Sequence, residues 1–380
     1  MKIHITLKSL LQCIVLVVLV SCNSEVRNER TDVVLPLVPQ PKEVKVYKGS
    51  FILNAMTEMV FNTKQQENAA TLFNNELKNL VGWSCPIGNE TTEKNSIELS
   101  QVDSLADEAY LLDISETKIA IKASSEAGYY YAFQTILQLA PILEKNIKPE
   151  ELKFNQLSIA DAPRFEWRGA MLDISRHFFG PESIKQLIDQ MAANKMNRLH
   201  LHLTDDTGWR IEIKEYPKLI EIGSRGDKSN PDGPSMYLTE KEARDITAYA
   251  NKRQILIIPE VDVPGHSGAV ERAYPEFSGG NNTLNIANED AIKMIETVIL
   301  RLADIFNTDY VHFGSDEVRQ HNWEGRPDML AKMRELKLKD QHEFEGWFDC
   351  RMADFIVDSG LKPIAWDEAS DFGVNKATIL

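Results

Sequence analysis

The sequence has little cysteine. Of its four cysteines, Cys13 and Cys22 fall within the first 22 residues, which leaves Cys85 and Cys350 for the rest of the chain. That number excludes a disulfide framework, and two separate buried thiols are expected. No set of Cys and His residues has zinc-ligand spacing. Basic residues are also scarce: 42 Lys and Arg stand against 57 Asp and Glu, a formal net charge of −15. Such a surface argues against nucleic acid or an anionic membrane as a partner and leaves a neutral ligand open. Internal repeats and low-complexity tracts are lacking. So is any apolar run long enough to span a bilayer, since the run from Leu10 to Val20 stops well short of about 20 residues.

What the N-terminus does contain reads as an export signal over residues 1–22. Lys2 and Lys8 precede the apolar run, and Leu19-Val-Ser-Cys22 looks like the lipobox of a bacterial lipoprotein. Cys22 is then the acylated residue, and the expected location is the bacterial cell envelope, with membrane contact only through this anchor. An ordinary secretory signal is the alternative. Removing residues 1–22 takes away two lysines and no acids, so the formal charge moves to −17. The polar stretch Asn23 to Arg30 becomes a tether. Asn89-Glu-Thr91 and Asn281-Asn-Thr283 match glycosylation acceptors, an inference that lapses in a bacterial cell.

The remaining length suggests two units. Residues 33–160 carry short alternating runs such as Ser96–Ser100, Ala109–Asp113 and Lys118–Lys122, followed by helical spacing over Ala127–Leu139, which predicts a small α+β domain. Residues 165–380 alternate strand and helix. Strands are expected at Gly169–Ile174, Arg198–Thr204, Gln254–Pro259, Tyr310–Gly314 and Pro363–Trp366; helices fit Glu182–Lys195, Thr239–Lys252, Asp290–Phe306 and Glu343–Ser359. This order requires parallel strands joined by crossovers, a (β/α)8-type TIM barrel. Thr239 and Glu242 form a capping box for one of these helices. Ala377–Leu380 offers a sixth strand, fewer than the eight of a closed barrel, so the barrel is expected to be incomplete at its C-terminal side.

Chemistry collects at the ends of these strands. Tyr310-Val-His-Phe-Gly-Ser-Asp-Glu-Val318 empties an apolar strand into Asp316-Glu317, and on a parallel barrel such acids face a ligand. Asp-Glu pairs also occur at Asp107-Glu108 and Asp367-Glu368, so the dipeptide alone proves nothing. The wider set comprises Trp167-Arg-Gly-Ala-Met-Leu-Asp-Ile-Ser-Arg-His-Phe178, Asn197-Arg-Leu-His-Leu-His-Leu-Thr-Asp-Asp-Thr-Gly-Trp-Arg210 and Ile257-Ile-Pro-Glu-Val-Asp-Val-Pro-Gly-His266. From the Pro-Gln-Pro segment near Pro39 onward, the sequence resembles glycoside hydrolase family 20.

That resemblance implies an exo-β-N-acetylhexosaminidase acting on N-acetylhexosamine-containing glycans by a substrate-assisted retaining mechanism, in which the sugar's own acetamido oxygen is the nucleophile. It makes Glu317 the proton donor and Asp316 the group that orients the acetamido N–H. It assigns Arg176 to sugar hydroxyls, Asp205 to a relay with His266, and Trp366 to an aromatic floor under the sugar. His177 fits packing as well as binding, and Trp347 is a weak match to a pocket wall. Strand alternation puts His200, His202 and Thr204 on one face and Asp205 on the other. The His-x-His pair invites a metal, but later strand ends supply only one comparable His, so neither metal nor cofactor is expected. The resemblance also implies a Tyr, an Asp and a Trp on later strands that have no counterpart here. A catalytically incompetent fragment or a glycan-binding module is therefore the second class of function.

Overall fold

The computed structural model describes residues 27–30, 33–88, 95–144 and 147–380. Cys22, the signal segment and Asn89-Glu-Thr91 lie outside them. The first unit is an eight-stranded mixed sheet: β1 Glu29–Arg30, β2 Glu43–Asn54, β3 Glu58–Val60, β4 Ile87–Gly88, β5 Ser96–Gln101, β6 Tyr110–Ile114, β7 Lys118–Ala123 and β8 Glu151–Asp161, in the order β1-β2-β8-β6-β7-β5-β3-β4. Helices α1 Lys64–Val81 and α2 Glu126–Leu139 pack together, Phe73 stacking on Phe133 at 4.5 Å. Alternation decides which face is inward: Ile119, Ile121 and Ala123 of β7 are buried while the residues between them are not. Helix α1 begins in a full capping box, Thr63 accepting from the Gln66 N–H and Gln66 reaching back. Cys85 and Cys350 are free.

The second unit is a five-stranded parallel sheet: β9 Gly169–Asp173, β10 Arg198–His202, β11 Leu256–Val263, β14 Tyr310–Gly314 and β15 Lys362–Ile364, between which lies a small hairpin of β12 Ser278–Gly280 and β13 Thr283–Leu284. Helices α3 Pro181–Ala193, α4 Lys218–Glu221, α5 Glu240–Asn251, α6 Gly268–Ala273, α7 Glu289–Phe306, α8 Pro327–Leu336 and α9 Gln341–Asp358 complete it. The long helices cover the outer face; α7, for example, buries Ile292, Ile295, Val298, Ile299 and Leu302. The expected Thr239–Glu242 capping box opens α5. This is the parallel α/β barrel architecture with a preceding α+β unit. Among the described residues β9 and β15 remain the sheet's edges, so the barrel is not closed. The proposed sixth strand is a correction: Ala377–Leu380 contributes a single bridge, Ile379 to Ile364, and no strand. No described helix is long and apolar enough to cross a membrane.

Register places the inner-face residues in rows. His202 pairs with Asp173 and with Glu260, Glu260 with His312, and His312 with Ile364. In-register residues of a parallel sheet share a face, so this row lies at the C-terminal end of the sheet.

Charged contacts join the two units. Arg168, at the entry to β9, grips Glu108 with both guanidinium arms, at 2.8 and 3.1 Å, and Asn197 donates to the same carboxylate at 2.9 Å. Buried Lys195 lies 3.0 Å from Asp161 and 2.8 Å from the Tyr110 hydroxyl. Burial would raise the Glu108 carboxyl, but the Arg168 and Asn197 hydrogen bonds outweigh it and hold it low. Arg168→Met should therefore strand a half-buried carboxylate and cost about 2–3 kcal/mol. Scanning calorimetry should show a lower melting temperature, and a midpoint within about 1 °C of wild type would show that the seam holds nothing.

Candidate active site

Five strand ends converge at one side of the sheet. Arg176 follows β9, Asp205 follows β10, His266 follows β11, Asp316 and Glu317 follow β14, and Trp366 follows β15. Asp205 does not keep to the face that strand alternation assigned it. Strand β10 ends at His202, Thr204 bridges back to Trp209 around a bend at Asp206-Thr207, and the Asp205 carboxylate reaches the histidine face. There its Oδ2 becomes a focus for three nitrogen-bearing side chains: Arg176 Nη2 at 2.6 Å, His202 Nε2 at 3.0 Å and His266 Nδ1 at 3.4 Å. Burial would push the Asp205 carboxyl up, but these partners win and hold it well below the usual carboxylate range. Arg176 is oriented a second time by Asp173, at 3.0 Å.

His266 carries this network to the acid pair. It sits in the left-handed region, φ 44°, directly after Pro264-Gly265, and its Nε2 lies 3.6 Å from Glu317 Oε2 and 3.9 Å from Asp316 Oδ2. Burial lowers the imidazole's affinity for a proton, yet the surrounding Asp205 and Asp316 raise its pKa on balance. The two acids differ sharply in surroundings. The Glu317 side chain is 76% exposed, whereas Asp316 is half-buried, and burial above all pushes its carboxyl up. Behind it stands Asp262, fully buried on β11, with neither carboxyl oxygen hydrogen-bonded to a donor. Burial, then Glu260 and Asp316, push the Asp262 carboxyl well above its usual value. Gly314 is required beside it: the backbone has φ 78°, and a Cβ there would stand 1.9 Å from Asp262 Oδ1.

A buried carboxylate organises the floor. Glu260 accepts from His200 Nε2 and His202 Nδ1, each at 2.7 Å, and from the Trp366 indole N–H at 3.0 Å. Burial would raise it, but the hydrogen bonds of His200 and His202 dominate and keep it ionised. His202, between Glu260 and Asp205, has its pKa raised to about 9 because those two hydrogen bonds overcome its burial. His312 behaves in the opposite way. The Gly314 N–H donates to its Nδ1 at 3.1 Å, so that nitrogen carries a lone pair and cannot donate to Glu260 3.5 Å away. Burial drives the His312 pKa down to about 3. Trp366 packs edge-on to His312 at 4.9 Å and borders a cavity of about 410 Å³ on the inner face, with Trp167, Met171, Arg198 and His200. Glu317 opens instead onto a small depression that Asp206, His266, Asn282 and Arg319 also line.

The structure thus brings Arg176, Asp205, His266, Asp316 and Glu317 together and ties Trp366 to them through Glu260 and His202. His177 points to Ser229, 3.2 Å away, outside this group. Trp347 is a correction: it stacks on Phe344 at 5.6 Å among Lys332 and Arg351, on the flank of α9. Glu260 and Asp262 were missed, although two acids at alternate positions in Pro259-Glu-Val-Asp-Val263 share one face of an otherwise apolar strand. Among the described residues, four groupings of His, Asp and Glu bring three ligand atoms within 4.8 Å, one of them His200, Glu260 and His312. In that grouping hydrogen bonds already engage Glu260 and His312 Nδ1.

Residues 165–380 match the family model described as glycosyl hydrolase family 20, catalytic domain, and residues 34–162 match that family's domain 2. A beta-hexosaminidase of Vibrio furnissii is 35% identical over 91% of this chain and 59% of its own length. A beta-hexosaminidase of Porphyromonas gingivalis is 32% identical over 89% of this chain and 46% of its own. The chain therefore spans about half the length of these relatives. Among solved structures, the exo beta-N-acetylglucosaminidase of Vibrio harveyi in complex with N-acetylglucosamine superposes with TM-score 0.83 at 32% identity, covering 90% of this chain and 56% of that one. The beta-N-acetylhexosaminidase of Bacteroides fragilis gives 0.80 at 28% identity, covering 90% and 69%.

The state of His312 has a measurable consequence. Its folded pKa, about 3, lies below the unfolded value of about 6.5. The folded protein therefore binds this proton less readily, and stability falls as pH drops below about 6.5. Thermal melts between pH 7 and 4 should show that loss, and His312→Gln should lessen it. An identical acid slope in wild type and variant would contradict the assignment.

Proposed function

The chain belongs to glycosyl hydrolase family 20, and from that membership and the geometry of its site we propose that it releases terminal N-acetylglucosamine or N-acetylgalactosamine from glycans. The observation that carries the reading is the chain of contacts from Asp205 through His266 to Glu317, with Asp316 beside it. In the first step the acetamido oxygen of the bound sugar attacks C1, the glycosidic C–O bond breaks, and Glu317 gives its proton to the leaving oxygen. His266, held by Asp205, stabilises the carboxylate left on Glu317. Asp316 accepts the acetamido N–H and balances the positive oxazolinium, a task that needs it ionised. In the second step water adds to C1, Glu317 takes its proton, and the acetamido group is restored with retention.

Arg176 holds hydroxyls of the terminal sugar with the guanidinium N–H groups that Asp173 and Asp205 leave free. Trp366 offers an indole face for the sugar's axial C–H groups. Glu317→Gln should lower turnover of glycosides with poor leaving groups by about 10²–10⁴ and that of good aryl leaving groups much less. Steady-state kinetics on two such substrates check this, with circular dichroism confirming the fold. Equal losses on both would remove Glu317 from the acid role. Binding of N-acetylglucosamine without any turnover would favour a glycan-binding module instead.

The address of the protein belongs to the same proposal. Leu19-Val-Ser-Cys22 supports export and acylation at Cys22, which would hold the enzyme at the cell envelope. Metabolic labelling with a fatty-acid analogue should mark wild type and leave Cys22→Ser unmarked; an unlabelled, freely soluble wild type would remove the anchor.

A further inference from the structure

Helix α9, Gln341–Asp358, runs beneath the loop that presents the acid pair, and its face toward that loop is unusual. Phe344, Phe348 and Met352 are buried there as expected, but so are Glu345, 4% exposed, and Asp349, 0% exposed. Buried carboxyls are costly unless they are hydrogen-bonded. Spaced one turn apart, these two project from the same side of the helix. Asp349 Oδ2 accepts from the Ser315 hydroxyl at 2.5 Å, and Glu345 Oε2 accepts from the Gln320 side-chain amide at 2.5 Å. Ser315 immediately precedes Asp316-Glu317 and Gln320 follows three residues after Glu317, so the contacts seize the two ends of the loop.

The loop needs such restraint. Gly314, Ser315 and Glu317 all have positive φ, at 78°, 75° and 49°. For a serine or a glutamate this conformation is uphill by about 1 kcal/mol or more, and it persists only where the surroundings impose it. Ser315 is fully buried, and the partner that its hydroxyl meets is Asp349. Farther along, Trp323 packs edge-on to Phe344 at 5.8 Å and donates to Thr283, so the same helix also backs the loop's exit.

We propose that Glu345 and Asp349 form a two-point clamp that fixes the loop 315–320 and thereby aims Asp316 and Glu317, which makes them positioning residues for the reaction. The functional half of this statement rests on the roles given to Asp316 and Glu317 above. Burial pushes both carboxyls up, Glu345 to about 7 and Asp349 well above its usual range. A neutral amide at either position should therefore serve nearly as well. The hydroxyl of Ser315 and the amide of Gln320 need an acceptor, which Asn and Gln still offer.

The test is hydrogen exchange followed by mass spectrometry on the full 380-residue chain, with kinetics alongside. Asp349→Ala and Glu345→Ala should speed exchange in peptides covering residues 312–323 by about tenfold or more, while peptides of β10 and β11 stay unchanged. Asp349→Asn and Glu345→Gln should remain close to wild type. On an aryl N-acetylglucosaminide the alanine variants should lose about a hundredfold in kcat with KM moved by less than about threefold. Should the helix fail to tolerate alanine, Ser315→Ala and Gln320→Ala release the clamp from the loop side and should give the same local exchange. Unchanged loop exchange in all these variants, or a uniform rise across the sheet, would overturn the clamp. Wild-type chain without turnover would sink the proposed activity, whereas the exchange result decides the clamp independently.

Discussion

The Glu260 carboxylate is the constraint on which the active end of the sheet depends. It is fully buried, yet it accepts hydrogen bonds from His200 and His202 on β10 and from Trp366 beyond β15, while itself belonging to β11. One anion thus ties elements that are not sequence neighbours across the inner face. Burying such a charge is costly, and the cost is offset only while every partner stays in place. Through His202 the constraint extends to Asp205, and from there to Arg176 and His266. The residues at the strand ends thus take their positions from a buried group behind them.

Four neighbouring carboxyls, Asp205, Glu260, Asp262 and Asp316, would repel if all were ionised. Their environments separate them. Asp205 and Glu260 are surrounded by donors and are held low, Asp262 is buried without donors and is pushed up, and Asp316 stands between, half-buried beside both kinds of neighbour. Differences in burial and hydrogen bonding turn chemically similar side chains into distinct parts. Glu317 differs again by its exposure, 76% against the half-buried Asp316 beside it.

Much of this was legible in the amino-acid order because strand ends carry their own punctuation. Gly314-Ser315 after an apolar run and Pro264-Gly265 before His266 announced turns at the right places, and Thr239 with Glu242 announced a helix start. Other parts were not. Glu260 and Asp262 look like ordinary strand acids until the neighbouring strands supply histidines in register, and register is a tertiary fact. Asp205 was assigned to the wrong face because period-2 counting was carried past the point where pairing stops at His202. Helix α1 went unread although Thr63 and Gln66 spell a capping box, and Ala377–Leu380 has a strand's composition with a single bridging partner.

The residues held at positive φ, His266, Ser315 and Glu317, also bear on how such a chain can change over generations. Each is a place where glycine would relax the backbone but remove a side chain that the surroundings use, as Ser315 is used by buried Asp349, so relief of backbone strain and loss of contacts compete at the positions proposed to perform or support the chemistry. A glycine at such a position would make the loop easier to form and harder to hold, so the strained residues persist where the side chain is worth more than the backbone relief.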